Sequence, residues 1–484
     1  MDWPIHFRII YAVIVLIVCI RIIYDTRNTT KTLAYLLFAL FVPIGGILFY
    51  FVFGINYRKR KIYNRKQAEN DMFGHLLRKD VYQNAKQTFN ETDATAQGKE
   101  LAYMLLNDLQ SPLTSHNEVK VLVNGEHKFP EVLKALREAK NHIHLEYYIY
   151  DDDEIGREIE NVLLEKAKQG VKVRFIYDDF GSRSIRRRMT RRMKAAGIEV
   201  FPFFKIFFIP FANRINYRNH RKIIVIDGDT AFVGGINVSD RYVNKTESRN
   251  ELFWRDTHLR IDGPGVQYLQ YIFLSDWNFC SDMNIQPNPM LFPPLNTFPV
   301  KDDKVVQIVA SGPDSGTPSI LLSVLKAINL AKKEILITTP YFVPGESLMN
   351  ALITASLSGL SVKILVPRNS DSILVNAAAC SYYTELLDAG VEIYRYKKGF
   401  LHAKTMVTDT EIAIVGTANM DLRSFDLNFE VNAIVYNPDI ANELRQVFYM
   451  DIQEAEKIDP ELWDKRSVFR QLMEKTARLL SPLL

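Results

Sequence analysis

Two short stretches of this sequence contain the same reactive side chains in the same order. Each has a histidine, a lysine two residues later, an aspartate five residues beyond the lysine, and then a Gly-x-x-Asn sequence. The residues are His220, Lys222, Asp227 and Asn237 in the first stretch, and His402, Lys404, Asp409 and Asn419 in the second. Because alternate side chains of a strand point to the same face, each histidine shares a face with its lysine. The sequence therefore predicts two matching groups of side chains, each aimed in one direction.

These residue types suit chemistry at a phosphodiester. An imidazole has a pKa near working pH, so one histidine can attack phosphorus while the other protonates the departing oxygen. Lysine ammonium groups and asparagine amides can hold the non-bridging oxygens as charge redistributes. The acidic runs at residues 151–154 and 178–179 are typical of helix starts and solvated turns and lack the spacing of metal ligands. The sequence therefore predicts a site that uses neither a metal ion nor another cofactor.

The elements around these stretches are also repeated. Beyond about residue 115, short strands alternate with amphipathic helices, which is typical of α/β domains. Three pairs of segments match in the same order, namely residues 141–156 with 332–347, 170–179 with 359–368, and 195–201 with 388–396. The two reactive stretches form a fourth pair. This order indicates duplication of a whole domain rather than a short solenoid repeat.

The paired stretches resemble the HKD signature of the phospholipase D superfamily. The resemblance implies an α/β fold of two similar phospholipase D-like sandwich domains, related by a pseudo-twofold axis, with one active site at their interface. It also implies that His220 is the nucleophile, that His402 is the general acid, and that a phosphohistidine links the two half-reactions. Carboxylates should orient the two imidazoles. Asp256 in FWRDTHL and Glu430 in LNFEVN are the candidates, although they follow the histidines of their own repeats at different distances.

Composition excludes several classes of protein. The chain has 484 residues, of which 47% are hydrophobic and 24% are charged, and these are globular values rather than those of a disordered or collagen-like chain. The net charge is only +4, and residues 58–66 alone contain six basic and no acidic side chains. A uniformly basic nucleic-acid-binding protein is therefore disfavoured. The three cysteines form no CxxC pair, so neither a disulfide framework nor a cysteine zinc site is predicted.

The N-terminal part is predicted to be a transmembrane helical hairpin. Residues 33–57 contain no charged side chain, and a helix of this length can cross a hydrocarbon layer of about 30 Å. Residues 9–20 form a shorter uncharged run between Arg8 and Arg21. We interpret this run as a first span, with a cleaved or interfacial segment as the alternative. The basic run at residues 58–66 then places the rest of the chain on the cytoplasmic side.

These features divide the chain into four parts. We predict two transmembrane helices in residues 1–57 and a basic juxtamembrane segment and connector in residues 58–115. A first phospholipase D-like domain is predicted in residues 116–300 and a second one in residues 301–484.

The first repeat carries an insertion before its histidine. This insertion is rich in phenylalanine and contains Phe201, Phe203, Phe204, Phe207, Phe208 and Phe211. It follows a basic stretch at residues 183–194. Aromatic side chains beside cations favour a segment that dips into lipid at the mouth of the site, and a core strand next to a solvated basic helix is the alternative.

The resemblance becomes more specific over the whole chain. The N-terminal hairpin, LEYYIYDDD, both HKD motifs, TTPYFVP and a final SPLL are similar to bacterial cardiolipin synthases of the phospholipase D type. The resemblance implies reversible phosphatidyl transfer between two phosphatidylglycerol molecules, giving cardiolipin and glycerol, at the bacterial cell membrane. The implied partners are this phospholipid and the membrane, without nucleic acid, and the oligomeric state stays open. The alternatives are a membrane-bound phospholipase D or another phosphatidyltransferase, a nuclease, and a non-catalytic scaffold that binds anionic lipid.

Overall fold

The chain forms two compact units. The computed structural model describes residues 5–25, 29–42, 44–51, 85, 88–89, 98–109, 111–204, 217–244, 252–281, 283–298 and 302–481. Residues 1–68 and 205–217 delimit the first unit, and residues 69–204 and 218–484 delimit the second. All the reactive side chains singled out above belong to the second unit.

The described part of the first unit is helical. Its helices are α1 (Ile5–Asp25), α2 (Thr29–Phe41) and α3 (Gly45–Phe49). Val18, Ile22, Ala39 and Tyr50 form a small buried cluster. Most of the large apolar side chains of α1 and α2 are instead exposed.

The predicted membrane spans fall in this unit. Residues 9–20 lie within α1, whereas residues 33–57 extend over residue 43 and residues 52–57, which are outside the described residues. The basic run at residues 58–66 is outside them as well. Of the helices in the described ranges, none combines the length and the apolar character that crossing a membrane requires. The transmembrane hairpin therefore stays a prediction.

The second unit is built on nineteen strands within its described residues. They are β1 (Thr114–Val123), β2 (His142–Tyr147), β3 (Lys172–Tyr177), β4 (Glu199–Pro202), β5 (Lys222–Ile226), β6 (Thr230–Gly234), β7 (Phe253–Arg255), β8 (Thr257–Asp262), β9 (Lys304–Ser311), β10 (Glu334–Thr338), β11 (Phe342–Val343), β12 (Ser361–Pro367), β13 (Glu392–Tyr396), β14 (Gly399–Leu401), β15 (Thr405–Thr408), β16 (Ile412–Gly416), β17 (Met420–Asp421), β18 (Glu430–Tyr436) and β19 (Ala455–Lys457). Fifteen of them form one sheet in the order β19-β13-β12-β10-β15-β16-β18-β9-β1-β8-β6-β5-β2-β3-β4. Two small sheets pair β11 with β17 and β14 with β7.

The large sheet repeats itself about the antiparallel pair β1–β9. Outward from β1 the strands are β8, β6, β5, β2, β3 and β4, and outward from β9 they are β18, β16, β15, β10, β12 and β13. The pairing directions agree as well, since β2–β3 and β10–β12 are parallel while β2–β5 and β10–β15 are antiparallel. The duplication predicted from the sequence is therefore confirmed strand by strand. The predicted domain limits at residues 116, 300 and 301 stay predictions.

Helices cover both faces of this sheet. They are α4 (Lys99–Leu109), α5 (Asn124–Glu138), α6 (Glu154–Lys168), α7 (Arg188–Ala195), α8 (Val266–Ser281), α9 (Ser319–Leu330), α10 (Glu346–Leu357), α11 (Ile373–Asp388), α12 (Leu422–Asp426), α13 (Pro438–Gln453), α14 (Pro460–Asp464) and α15 (Val468–Leu479). Helices α5, α6 and α7 pack on one face of the first half, and α9, α10 and α11 pack on the matching face of the second half. Helices α8 and α13 cover a core on the other face to which both halves contribute.

The acidic runs in the first half hold backbone N–H groups, but Asp178 and Asp179 are buried rather than in a solvated turn. Asp153 precedes α6 and accepts a hydrogen bond from the Gly156 N–H at 3.1 Å, which satisfies an otherwise unpaired donor at the helix start. Asp178 accepts from the backbone N–H groups of Phe180 and Gly181, both at 2.9 Å. Both carboxylates thus fix the start of a helix or a turn.

Two phenylalanines of the Phe-rich insertion are buried in the protein. Phe203 and Phe204 are 3% and 6% exposed, and both rings pack against Phe429 and Phe279. The interpretation of these two side chains as lipid-facing is therefore wrong, because Phe279 of the first half and Phe429 of the second half cover them. The later phenylalanines at residues 207, 208 and 211 lie outside the described residues.

Candidate active site

The backbone at each histidine is tied to the opposite half of the second unit. The N–H of His220 donates to the carbonyl of Phe429 at 2.9 Å, and the N–H of His402 donates to the carbonyl of Arg255 at 2.7 Å. Asn219 forms a parallel bridge with Phe429, and β14 pairs in parallel with β7. The two halves therefore exchange short extended segments at the places where the two histidines lie.

The carboxylates that hold the imidazoles are exchanged in the same way. Nδ1 of His220 lies 3.0 Å from Oε1 of Glu430, which belongs to the second half. Nδ1 of His402 lies 2.7 Å from Oδ2 of Asp256, which belongs to the first half. Both carboxylates are fully buried, whereas the two imidazoles are 21% and 15% exposed. Each half therefore supplies one imidazole and the carboxylate that orients the imidazole of the other half.

Asp256 and Glu430 occupy equivalent positions in the sheet despite their unequal spacing in the sequence. β6 pairs with β8 and β16 pairs with β18. In each pair of strands, the first glycine of the Gly-x-x-Asn sequence pairs with a residue of the neighbouring strand. That residue follows the carboxylate by two positions in both halves. The extra residues of the first half lie between Asn237 and Asp256 in the sequence. Gly235 leaves room for this arrangement, because a Cβ there would lie 2.1 Å from Oδ1 of Asp256.

The two lysines are buried beside the histidines. The ammonium group of Lys222 donates to the carbonyl of His220 at 2.7 Å, and that of Lys404 donates to the carbonyl of His402. Burial lowers the pKa of Lys222 to about 8, against the carboxylates of Glu430 and Asp256, which raise it. Burial, opposed by Asp256 and assisted by the charge of Lys222, lowers the pKa of Lys404 to about 7. The charges of both halves thus act on one another, as expected of a single site.

His402 is neutral near pH 7 in the absence of substrate. Burial lowers its pKa to about 4, and the ammonium groups of Lys404 and Lys222 add to this effect, while Asp256 opposes it. A carboxylate that accepts from Nδ1–H leaves Nε2 free for proton transfer. An anion that enters between the lysines would offset their charge and raise the pKa of His402.

The two motif asparagines differ in how their amides are used. Asn237 accepts from the N–H of Ile149 at 3.2 Å and donates to the hydroxyl of Tyr242 at 2.8 Å, so both ends of its amide hold protein groups. Asn419 donates to Asp421 at 3.0 Å, and its buried carbonyl oxygen has no hydrogen-bond partner among the residues that the structure describes. The geometry therefore gives Asn237 a supporting role rather than contact with phosphate.

The two motif aspartates, which the sequence analysis counts with the catalytic residues, do not join the histidines. Each follows the strand that begins near its histidine, and therefore lies at the far end of that strand. Each carboxylate accepts from three consecutive backbone N–H groups at 2.6–2.9 Å. The donors are Lys140, Asn141 and His142 for Asp227, and Lys332, Lys333 and Glu334 for Asp409. The catalytic assignment of these aspartates is corrected to a structural one, because their oxygens tie two strands of the sheet together.

Several side chains at the site were missed in the sequence. The ring centroid of Tyr148 lies 4.1 Å from that of His220, and Asn428 Nδ2 lies 3.2 Å from Nδ1 of the same imidazole. The hydroxyl of Tyr242 lies 3.4 Å from Nδ1 of His402. The fully buried Lys128 donates to the carbonyl of Ile236 at 2.7 Å. Only Asn428 carried a signal in the sequence, because it lies two residues before Glu430 and alternates with it along an extended segment.

The arrangement can bind and process a tetrahedral anion. Two imidazoles with oriented Nδ1 atoms and two buried ammonium groups are supplied, one of each from either half. In the ranges that the structure describes, no three His, Cys, Asp or Glu side chains are grouped as metal ligands. Two imidazoles with cationic neighbours are the groups needed for attack at phosphorus and protonation of a leaving oxygen.

Comparisons with known proteins agree with this geometry. The family described as "Cardiolipin synthase, PLD-like domain" matches residues 132–277 and 324–452, and the "Phospholipase_D-nuclease N-terminal" family matches residues 10–54. A cardiolipin synthase of Halalkalibacterium halodurans is 42% identical over 99% of this chain and 94% of its own length. The major cardiolipin synthase of Bacillus subtilis is 40% identical over 97% of both chains.

A solved structure supports the fold. The crystal structure of a phosphatidylserine synthase from Haemophilus influenzae matches with a TM-score of 0.58 and 15% identity, over 80% of this chain and 100% of that one. At this identity the likeness concerns the fold alone, which is the phospholipase D-like α/β fold predicted from the motifs. The two matches to one family and the full-length relatives lead to one conclusion. The chain belongs to the cardiolipin synthase family of phospholipase D-like proteins.

Proposed function

We propose that this protein joins two phosphatidylglycerol molecules into cardiolipin and releases glycerol. Cardiolipin synthase activity is the function of its full-length relatives. The observation that carries the mechanism is the exchange of carboxylates, Glu430 to His220 and Asp256 to His402. It gives one site two separately oriented imidazoles, which a two-step transfer through a covalent intermediate needs.

In the first step, Nε2 of His220 attacks the phosphorus of the first phosphatidylglycerol. A phosphorus–nitrogen bond forms, and the bond between phosphorus and the headgroup glycerol oxygen breaks. His402 gives the leaving oxygen its proton, so that glycerol departs as an alcohol. Lys222 and Lys404 lie where they can stabilise the non-bridging oxygens.

In the second step, a headgroup hydroxyl of a second phosphatidylglycerol attacks the phosphatidyl-histidine. Neutral His402 takes the hydroxyl proton, the phosphorus–nitrogen bond breaks, and cardiolipin leaves with His220 restored. The same groups run the reaction in both directions, which is why the transfer is reversible. Transfer prevails over hydrolysis because a bound lipid hydroxyl has a high effective concentration compared with water.

Protonation of His402 in the first step is proposed to depend on substrate. Its pKa of about 4 leaves it neutral in the empty site, mainly because it is buried beside Lys404. The negative charge of the bound phosphodiester favours the imidazolium form and therefore raises this pKa. The proton needed by the leaving glycerol is then present only when a phosphodiester is bound.

We further propose that residues 9–20 and 33–57 form a transmembrane hairpin and that residues 58–66 lie at the cytoplasmic surface of the bacterial cell membrane. The proposal is supported by the uncharged length of residues 33–57 and by the basic run that follows. The match of residues 10–54 to an N-terminal family of phospholipase D-like proteins is consistent with it. Such an anchor would keep the site beside its lipid substrates.

One experiment tests the function directly. Purified protein is incubated with phosphatidylglycerol in mixed micelles containing EDTA, and the products are identified by mass spectrometry. We expect cardiolipin and glycerol in equal amounts, because each transfer releases one glycerol. We expect them to form in EDTA because no step above uses a metal ion. Phosphatidic acid as the main product would instead assign a phospholipase D. Loss of cardiolipin in EDTA with recovery in Mg²⁺ would contradict the metal-free mechanism.

The lysines predict a loss of activity at alkaline pH. As pH rises through about 7 and about 8, Lys404 and Lys222 lose their protons in the free enzyme, so attraction for the phosphodiester weakens. We expect kcat/KM for phosphatidylglycerol to fall between pH 7 and 9. Lys404→Arg keeps its charge over this range and should move the decline to higher pH. A flat profile from pH 7 to 9 in the unaltered protein would contradict this assignment.

A further inference from the structure

Four buried polar side chains are connected around the backbone of His220. They are Glu146, Asn219, Arg221 and Asp276, and each is at most 7% exposed. Asn219 and Arg221 are the chain neighbours of the histidine, whereas Glu146 lies on β2 and Asp276 on α8. We call these four side chains the buried network. It links the segment that carries the nucleophile to two other elements of the first half.

The buried network fixes the backbone at His220 in a turn. Oδ1 of Asn219 accepts from the N–H of Arg221 at 3.0 Å, so His220 is the middle residue of an Asx turn. Nδ2 of the same asparagine donates to Oε1 of Glu146. Glu146 therefore holds the amide that closes the turn, and the direction of the His220 side chain depends on this contact.

Arg221 connects the turn to the carboxylate that orients the imidazole. Its Nη1 donates to Asp276, and its Nε donates to the backbone carbonyl of Glu430 at 3.4 Å. The carboxylate of Glu430 contacts Nδ1 of His220. One guanidinium group thus holds both the residue after the histidine, in the first half, and the residue that orients the imidazole from the second half.

Glu146 acts in the buried network as a neutral acid. Burial raises the pKa of Glu146, and the negative charge of Asp276 raises it further. Oε2 of Glu146 is buried and has no hydrogen-bond partner among the carboxylates and donors of the described residues. A proton on Glu146 leaves one carboxylate, that of Asp276, in contact with one guanidinium group, that of Arg221. Glu146 therefore contributes a hydrogen bond to the turn rather than a charge.

The equivalent positions beside His402 are not ionisable. The residues on either side of His402 are Leu401 and Ala403, and both are fully buried. Strand pairing places Thr338 in the position that Glu146 has in the first half, because each lies opposite the residue that follows the motif lysine. None of these three side chains can form an ion pair. The repeated fold therefore forms with uncharged side chains at these positions.

The cost of the buried network indicates that it serves the reaction. Well-packed apolar side chains often stabilise a core as much as a buried ion pair does, and the second half shows that the fold accepts them here. A nucleophile has a stricter requirement, because it must approach phosphorus in line with the leaving oxygen. Small displacements of the reacting atoms lower the rate of such a step steeply. Rigid support is thus most useful at the histidine that attacks.

We infer that the buried network positions the nucleophile, since it aims His220 through the Asx turn and holds Glu430 against the imidazole. This inference rests on the proposed function, in which His220 attacks phosphorus. The four side chains act through His220 and are positioning residues. They should therefore affect formation of the phosphatidyl-histidine and leave the protonation of the leaving group by His402 unaltered.

The burst of a leaving group that needs no proton tests this inference. Purified full-length protein in Triton X-100 mixed micelles receives a saturating amount of a phosphatidyl ester of p-nitrophenol, without phosphatidylglycerol. The burst amplitude counts folded sites, and the burst rate constant measures attack by His220. In Asn219→Ala and Arg221→Lys, we expect the rate constant to fall about 10- to 100-fold with the amplitude per folded molecule retained. A purely structural role would lower the amount of folded protein and leave the rate constant unchanged.

An exchange of hydrogen-bonding groups tests the contact between Glu146 and Asn219. Glu146→Gln keeps an acceptor for the asparagine amide, so its rate constant should stay within about threefold of the unaltered protein. Asn219→Asp keeps the acceptor of the Asx turn but places a second carboxyl group against Glu146, and its burst should be slow. Combining Asn219→Asp with Glu146→Gln restores one donor and one acceptor and should recover most of the lost rate. A double variant as slow as Asn219→Asp alone would contradict this role of Glu146.

Glu474→Gln is the matched control. Glu474 is 4% exposed and pairs with Arg466 at 2.6 Å in another buried ion pair, near the end of the described chain. Its substitution should lower the midpoint of thermal unfolding and leave the burst rate constant as it is. Rate constants within twofold of the unaltered protein in both Asn219→Ala and Arg221→Lys would overturn the inference. Failure of the unaltered protein to form cardiolipin from phosphatidylglycerol would overturn the proposed function instead.

Discussion

His220→Ala is expected to lower cardiolipin formation by roughly 10⁴-fold or more and to abolish the covalent intermediate. The reason is that His220 supplies the atom that bonds to phosphorus, whereas His402 moves protons. A substrate whose leaving group needs no proton separates these two roles. With a phosphatidyl ester of p-nitrophenol, His402→Ala should retain a burst of p-nitrophenol, and His220→Ala should give none.

The control for this experiment is His127→Gln. The side chain of His127 is exposed on α5 and is remote from the reactive groups in sequence and in its contacts. Its substitution should leave both the burst and the turnover intact. A burst that persists in His220→Ala and disappears in His402→Ala would exchange the roles of the two histidines. The geometry of the carboxylates would be unaffected by that outcome, since each imidazole has its own partner.

Replacing the exchanged carboxylates is expected to cost roughly 10²- to 10⁴-fold in turnover. Asp256→Asn removes the negative charge that raises the pKa of His402, so protonation of the leaving glycerol becomes harder. Its defect should therefore be large with phosphatidylglycerol and small with the p-nitrophenyl ester. Glu430→Gln disturbs the nucleophile His220, and its defect should be similar with both substrates.

The substrate pattern of these two variants tests the exchange between halves. If each carboxylate served the histidine of its own repeat, Asp256→Asn would slow the burst with the p-nitrophenyl ester and Glu430→Gln would not. Asp227→Ala is the matched control, because within the described part of the chain this carboxylate bonds only to backbone N–H groups. It should lower the free energy of unfolding by about 1–3 kcal/mol and leave turnover per folded molecule unchanged. A loss of turnover comparable to that of Asp256→Asn would return Asp227 to the catalytic group.

The sequence determined the features that depend on local spacing. The alternation of a strand places His220 with Lys222, and His402 with Lys404, whatever the rest of the chain does. The four pairs of matching segments determined the repeat, because each pair is a strand or helix end that can be read within a few residues. The same motifs, taken over the whole chain, were sufficient to indicate the family and its reaction.

The tertiary structure decided which groups meet across the two halves. Asp256 serves His402 and Glu430 serves His220 because short segments are exchanged between halves, and spacing within one repeat carries no information about such contacts. The motif aspartates illustrate the converse. Their regular spacing makes them part of the motif in the sequence, but in the structure the length of one strand separates each of them from its histidine. Local patterns specify which way a side chain points along its own strand, but only strand register and packing specify what it points at.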